Sequence, residues 1–102
     1  MTESLEKNQE NNYPMPSSST LEHSCKLAIV EDKPILLDYW TSSCDNTVLI
    51  GHRENQEKLL VKNAEEYTSP IGKLYGSQNE YIIVTENSIY IVKNTIENKR
   101  IS

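Results

Sequence analysis

Hydrophobic residues occur in short runs after residue 25, and charged or turn-forming residues separate these runs. Seven runs fit strands, and they span residues 26–30, 34–40, 47–51, 57–63, 71–75, 81–85 and 88–92. Residues 64–70 are the only place where a helical turn would fit, and Ser69-Pro70 would end it. Short strands at near-regular spacing are typical of antiparallel sandwiches and barrels. The sequence therefore predicts an all-β domain, a small antiparallel β-barrel or sandwich of about six to seven short strands.

The last two runs form a predicted hairpin, EYIIVTENSIYIVK, in which almost every strand residue is apolar. A two-residue loop, Glu86-Asn87, would place Val84 opposite Ile89 but ask Glu86 for a positive φ angle. A three-residue loop over 85–87 needs a positive φ only at Asn87, so we favour that register. Either way both faces are apolar, so the hairpin is central to the core or one face is covered by another chain.

The two ends of the chain differ in composition from the middle. Residues 1–24 are polar and contain a Pro-Met-Pro-Ser-Ser-Ser-Thr run, which predicts an arm that is disordered or ordered only on a partner. Residues 25–94 form the predicted β domain, and residues 95–102 form a polar tail. A core of this size is marginal, so a partner or self-association would add stability.

Charge and targeting signals restrict the partners that we expect. The formal net charge is −5 and there are only two arginines, Arg53 and Arg100, so no basic stripe points to nucleic acid. No apolar run approaches the roughly 18 residues of a membrane-spanning helix, and the N-terminus does not resemble a secretory signal. We expect an intracellular, cytoplasmic protein whose Cys25 and Cys44 are thiols, with a Cys25–Cys44 disulfide as the alternative.

Candidate chemistry is sparse in this sequence. His23, Cys25, Cys44 and His52 give the right number of zinc ligands, but their spacing does not match the familiar zinc modules. Cys44 or the neighbouring serines could act as a nucleophile with His52, yet no strained elbow or glycine-rich donor loop accompanies them. The sequence therefore predicts a protein that is not an enzyme and has no cofactor or metal.

The aromatic residues support the one binding hypothesis that names individual residues. Adjacent Tyr39 and Trp40 would point to opposite faces of a strand, so that one of them could lie outside the core. The predicted protein-binding residues are Tyr39, Trp40, Tyr81, Ile83, Tyr90 and Val92. These residues favour a structural or assembly protein that binds other proteins through an apolar strand face and its N-terminal arm. The alternative is a β-barrel module whose Tyr/Trp surface binds a peptide or single-stranded nucleic acid.

Two stretches, EEYTSPIGKLY and YIIVTENSIYIV, resemble short uncharacterised β proteins of nucleocytoplasmic large DNA viruses. The resemblance covers residues 57–93 and rests on the Tyr-Thr-Ser-Pro-Ile turn and the Thr-Glu-Asn-Ser-Ile-Tyr hairpin. It implies a virion or virus-factory component, such as a minor capsid protein, and it assigns a role to no individual residue.

Overall fold

Residues 14–101 are described by a computed structural model, and they form two helices and eight strands. In chain order these elements are α1 (Ser18–Glu31), β1 (Ile35–Leu36), α2 (Trp40–Cys44), β2 (Leu49–His52), β3 (Lys58–Asn63), β4 (Glu66–Tyr67), β5 (Ile71–Ser77), β6 (Glu80–Thr85), β7 (Ile89–Lys93) and β8 (Glu97–Arg100).

The strands are arranged in two four-stranded sheets and do not close into a barrel. The first sheet has the order β1-β7-β6-β5, and the second has the order β4-β3-β2-β8. The neighbours β1 and β7 are parallel, as are β2 and β8, whereas the other pairs are antiparallel. The β-rich prediction is thus confirmed, but a purely antiparallel fold without helices is wrong.

The central hairpin, β6 and β7, is covered on both faces by this chain itself. On one face Ile83 and Val92 join a cluster with Ile50 and Leu60 of the second sheet, with Val48 and Ile96, which directly precede its strands β2 and β8, and with Tyr39. On the other face Ile82, Val84 and Ile89 pack against Leu27 and Ala28 of α1 and Ile35 of β1. The first sheet therefore lies between helix α1 and the second sheet, which explains why both hairpin faces are apolar.

The hairpin turn is the two-residue loop that the sequence disfavoured. Val84 lies opposite Ile89, so the three-residue register that we favoured is wrong. The Thr85 hydroxyl donates to the carbonyl of Ser88 (3.2 Å) and accepts from its N–H (3.3 Å), and the N–H of Thr85 donates to the same carbonyl (2.9 Å). The side chain of Thr85 thus closes the turn, and neither Glu86 nor Asn87 needs a positive φ angle.

Helix α1 replaces both the end of the predicted arm and the predicted strand over 26–30. The boundary placed after residue 24 falls inside this helix, while the arm residues 1–13 lie outside the described residues. Its fully buried residues are polar, Thr20 and Ser24, so the usual apolar stripe is missing from the sequence. The segment between Pro16 and Pro34 contains no glycine or proline, which was the available signal of a helix.

Three other segments also differ from the prediction. The strand expected over 34–40 is reduced to Ile35–Leu36, because Trp40 begins the short helix α2. Residues 66–67 form strand β4 where a helical turn was possible. The polar tail contributes strand β8 through backbone pairing with β2, which demands no apolar side chains at an exposed edge.

Candidate functional site

A groove runs between helix α1 and the outer strand β5, and it has a volume of about 420 Å³. We call it the α1–β5 groove. Its lining comprises His23, Lys26, Leu27 and Val30 from the helix, Tyr75, Gly76 and Ser77 from β5, and Ile82 from β6. This volume lies within the range of pockets that bind small ligands or individual side chains.

One face of helix α1 forms the wall of this groove. Positions 23, 26, 27 and 30 recur at the three- and four-residue spacing that places side chains on one helix face. Val30 is 78% exposed although it is a β-branched aliphatic residue, and its neighbour Ile29 is 80% exposed. The groove therefore offers apolar surface to solvent on the helix side.

Strand β5 forms the other side; among residues 14–101 it pairs only with β6 and is therefore an edge of the first sheet. The other three sheet edges are protected, since β1 and β4 have two residues each and β8 carries Glu97, Lys99 and Arg100. Strand β5 has seven residues, of which five are exposed, and only Lys73 among them is charged. The pairing of β5 with β6 is irregular between Ile71 and Lys73 and regular from Lys73 to Ser77, so residues 73–77 are the place where another strand could pair.

Buried and partly buried hydrogen bonds hold the start of helix α1 beside the turn between β5 and β6. The carboxylate of Glu80 accepts bonds from Thr20 Oγ1 (2.6 Å) and Ser17 Oγ (3.0 Å). Thr20 Oγ1 also lies 3.1 Å from the carbonyl oxygen of Ser77. These bonds hold the helix at a set distance from the edge strand.

An ion pair fixes the other end of the helix to β5. Lys73 Nζ donates to Glu31 Oε2 at 2.7 Å, and Lys33 Nζ lies 3.8 Å from Glu31 Oε1. The hydrogen bond and charge of Lys73 hold the pKa of the Glu31 carboxyl below its usual value, and the same pairing raises the pKa of Lys73. The groove is thus anchored at both ends.

Four of the six predicted protein-binding residues lie in the core. Tyr39, Trp40, Ile83 and Val92 are each at most 5% exposed, so their side chains do not form a surface. Tyr81 and Tyr90 are partly buried and pack against the same core. The expectation that Tyr39 or Trp40 lies outside is wrong, because α2 begins at Trp40 and the strand alternation does not apply there.

Contacts around Tyr39 and Trp40 explain their burial. The Tyr39 ring packs edge-on against Tyr90 with centroids 5.2 Å apart, and Lys62 Nζ lies 5.0 Å from the Tyr39 centroid. Burial, with a smaller contribution from Tyr90, raises the pKa of Tyr39 to about 12. The Trp40 indole N–H donates to the carbonyl oxygen of Pro14 at 2.8 Å. The Tyr/Trp surface of the alternative binding module is therefore not present at this pair.

Sequence reasoning missed the residues that line the groove. The sequence predicts strands over 71–75 and 26–30, which contain Tyr75, Lys26 and Val30, and it offers His23 only as a possible zinc ligand. The signal that could have revealed them is the adjacent apolar pair Ile29-Val30. A helix that packs against the protein on one side only cannot bury two such neighbouring side chains completely, so apolar surface remains exposed.

The residues considered for metal or nucleophile chemistry do not converge. Cys25 is exposed and Cys44 partly buried, and both are free thiols; burial raises the pKa of Cys44. His52 Nε2 lies 2.9 Å from Asn98 Oδ1. Within residues 14–101 no group of three or more His, Cys, Asp or Glu side chains could hold a metal ion.

A second hollow of about 360 Å³ lies between the β2–β3 turn and strand β8. Both arginines of the chain line it, as do His52 and Lys99. Arg53 is paired with Glu57 at 3.5 Å and Arg100 with Glu54 at 3.9 Å. Carboxylates of the chain therefore already offset the positive charge of both arginines.

In the part of the chain that is described, neither helix is long and apolar enough to span a membrane. No family model, curated protein or solved structure matches this chain, so the resemblance to viral β proteins stays a prediction.

Proposed function

We propose that this protein is a non-enzymatic assembly protein that binds an extended segment of another protein. The segment adds as a further strand to the free edge of β5 and places apolar side chains in the α1–β5 groove. Main-chain hydrogen bonds would supply affinity, and the groove would supply specificity.

One observation carries the proposal, namely the coincidence of the long and mostly uncharged edge of β5 with an apolar groove beside it. An edge strand alone offers only backbone groups, and a groove alone does not order a ligand. Here Tyr75 of the edge strand and Val30 of the helix face the same space and are both substantially exposed. An extended segment can use both features: its backbone pairs with the edge strand, and every second side chain enters the groove, because side chains alternate between the two faces of a strand.

The experiment begins with a displayed library of ten-residue peptides that carry apolar residues at alternate positions. We expect the full-length chain to select members of this library, with amide shifts and slowed hydrogen exchange in residues 71–77 on binding. Peptides N-methylated at alternate positions test strand addition directly. Only one of the two alternating sets should lose binding, because backbone N–H groups of a strand point alternately to opposite sides.

Val30→Asp and Ile29→Asp provide matched variants, because the two residues are adjacent, β-branched and almost equally exposed, yet only Val30 lines the groove. We expect Val30→Asp to weaken the selected peptides about tenfold or more and Ile29→Asp to change affinity by less than about twofold. Tyr75→Ala should behave like Val30→Asp. Failure to select any peptide, equal loss in both aspartate variants, or equal loss in both N-methylated sets would overturn the proposal.

A further inference from the structure

We infer that the segment received by the α1–β5 groove carries a carboxylate beside its apolar side chains. This inference rests on the proposed function and adds the chemistry of the partner. It follows from the charges of the groove, set against those of the rest of the chain.

The ionisable side chains that line the groove are basic or neutral. Lys26 is the one formal charge among the lining residues, and the His23 imidazole beside it can donate a hydrogen bond to a carboxylate. No salt bridge within 4.0 Å joins Lys26 to a carboxylate in residues 14–101.

Two carboxylates near the ends of the groove are already engaged. Glu31 is paired with Lys73 and Lys33 beyond Val30, and Glu80 is buried beneath the helix with its oxygens bonded to Ser17 and Thr20. Glu22, one turn before Lys26 on α1, is exposed, does not line the groove and forms no salt bridge within 4.0 Å among residues 14–101. Lys26 thus stands at an apolar groove without a countercharge in its lining, on a chain whose net charge is −5. A partner segment with a carboxylate would supply that countercharge.

A second copy of this chain fits the groove less well. A symmetric contact would bring two identical Lys26 side chains and two acidic chains to one interface, where like charges oppose association. An acidic and apolar segment of a different protein brings no second Lys26 to the interface and places its carboxylate next to the lysine of the groove. The ligand class is therefore an extended peptide segment that alternates apolar residues with Asp or Glu.

The experiment uses three peptides that share the apolar positions of the tightest member of the library and carry Glu, Gln or Lys at the polar positions. Fluorescence anisotropy at low and at high salt gives the affinities. We expect the Glu peptide to bind about 3- to 10-fold more tightly than the Gln peptide, and the Lys peptide to bind most weakly. Raising the salt concentration should reduce these differences.

Lys26→Glu and Lys99→Glu are the matched variants, since both change the net charge equally but Lys99 lies on the distant strand β8. Lys26→Glu should reverse the order of the three peptides, and Lys99→Glu should preserve it. Equal binding of the three peptides that is still abolished by Val30→Asp would overturn the carboxylate preference and leave strand capture intact. Failure of the library to yield any binding peptide would overturn both.

Discussion

The hydroxyl of Thr20 donates a 2.6 Å hydrogen bond to Oε1 of Glu80, and both residues are buried. Helix α1 and strand β6, which are separated by 48 residues of the chain (32–79), are thereby connected through one carboxylate. The second oxygen of that carboxylate accepts from Ser17 at the start of the helix. This polar contact takes the position that an apolar side chain would occupy in a more usual helix–sheet interface.

The contact predicts that Thr20→Val destabilises the fold although it conserves shape. The buried carboxylate would lose its shortest hydrogen bond, so we expect the free energy of unfolding to fall by about 1–3 kcal/mol. Urea denaturation measures the change. Thr47→Val is the control, because its hydroxyl bonds to the carbonyl of Ser42 on the surface, and a loss below about 0.5 kcal/mol is expected there. Equal losses would contradict the role of the Thr20–Glu80 bond.

Trp40 is the single tryptophan of the chain and is 5% exposed, so its fluorescence reports directly on the core. We expect blue-shifted emission and weak quenching by iodide in the folded protein. Trp40→Ala should lower the free energy of unfolding by about 3–5 kcal/mol, and Trp40→Phe by less, because most of the packing is retained. Quenching of native Trp40 as strong as in the urea-unfolded chain would show that this residue is on the surface.

The Glu31–Lys73 pair predicts a dependence of stability on pH. Because the pKa of Glu31 is held below its ordinary value of 4.5, the ionised form stabilises the fold at neutral pH. That contribution is lost as the pH falls from 4.5 through the folded-state pKa. Glu31→Gln should therefore be less stable than the native chain at pH 7, by a margin that shrinks as the pH is lowered below 4.5.

Urea denaturation of the native chain, Glu31→Gln, Lys73→Met and the double variant separates this pair from its surroundings. The coupling free energy should be present at pH 7 and smaller at a pH below 4.5. An identical coupling at the two pH values would contradict the assignment to this ion pair.

The raised pKa of Tyr39 has its consequence at alkaline pH. The unfolded chain releases the phenolic proton near the ordinary value of 10.0, whereas folded Tyr39 keeps it to about 12. The unfolded state thus binds fewer protons in this window, and stability falls as the pH rises through it. Tyr39→Phe should show a shallower fall in urea denaturation series, with exposed Tyr67→Phe as the control for a lost hydroxyl. If the free energy of unfolding fell equally steeply with pH in the native chain and in Tyr39→Phe, this expectation would be contradicted.

Much of the β structure was readable along the chain. Strands β3, β5, β6 and β7 appeared in the predicted places because each is a short apolar or alternating run between turn residues. The two-sided apolar character of β6 and β7 correctly indicated a central position. The turn between them was misjudged, because a side-chain bond from Thr85 removed the backbone cost that we assigned to Glu86.

The groove could not be predicted from the sequence, because its helix lacked the expected pattern. Helix α1 buries Thr20 and Ser24 and leaves Val30 exposed, which inverts the rule from which amphipathic helices are recognised. The two buried hydroxyls need hydrogen-bond partners: Thr20 donates to Glu80, which is more than 50 positions away in the chain, and Ser24 donates to the carbonyl oxygen of Thr20 within the helix.

Local apolar patterning by itself determined that the chain builds sheets around the hairpin over residues 80–93, since burying aliphatic side chains is the dominant favourable term in folding. Only the tertiary structure decided what covers the hairpin, which strands pair in parallel, and which edge stays free. These features depend on contacts between residues far apart in the chain, such as the pairing of β2 with β8 and the Lys73–Glu31 bond. Backbone pairing and single polar contacts of this kind leave no periodic pattern in a sequence.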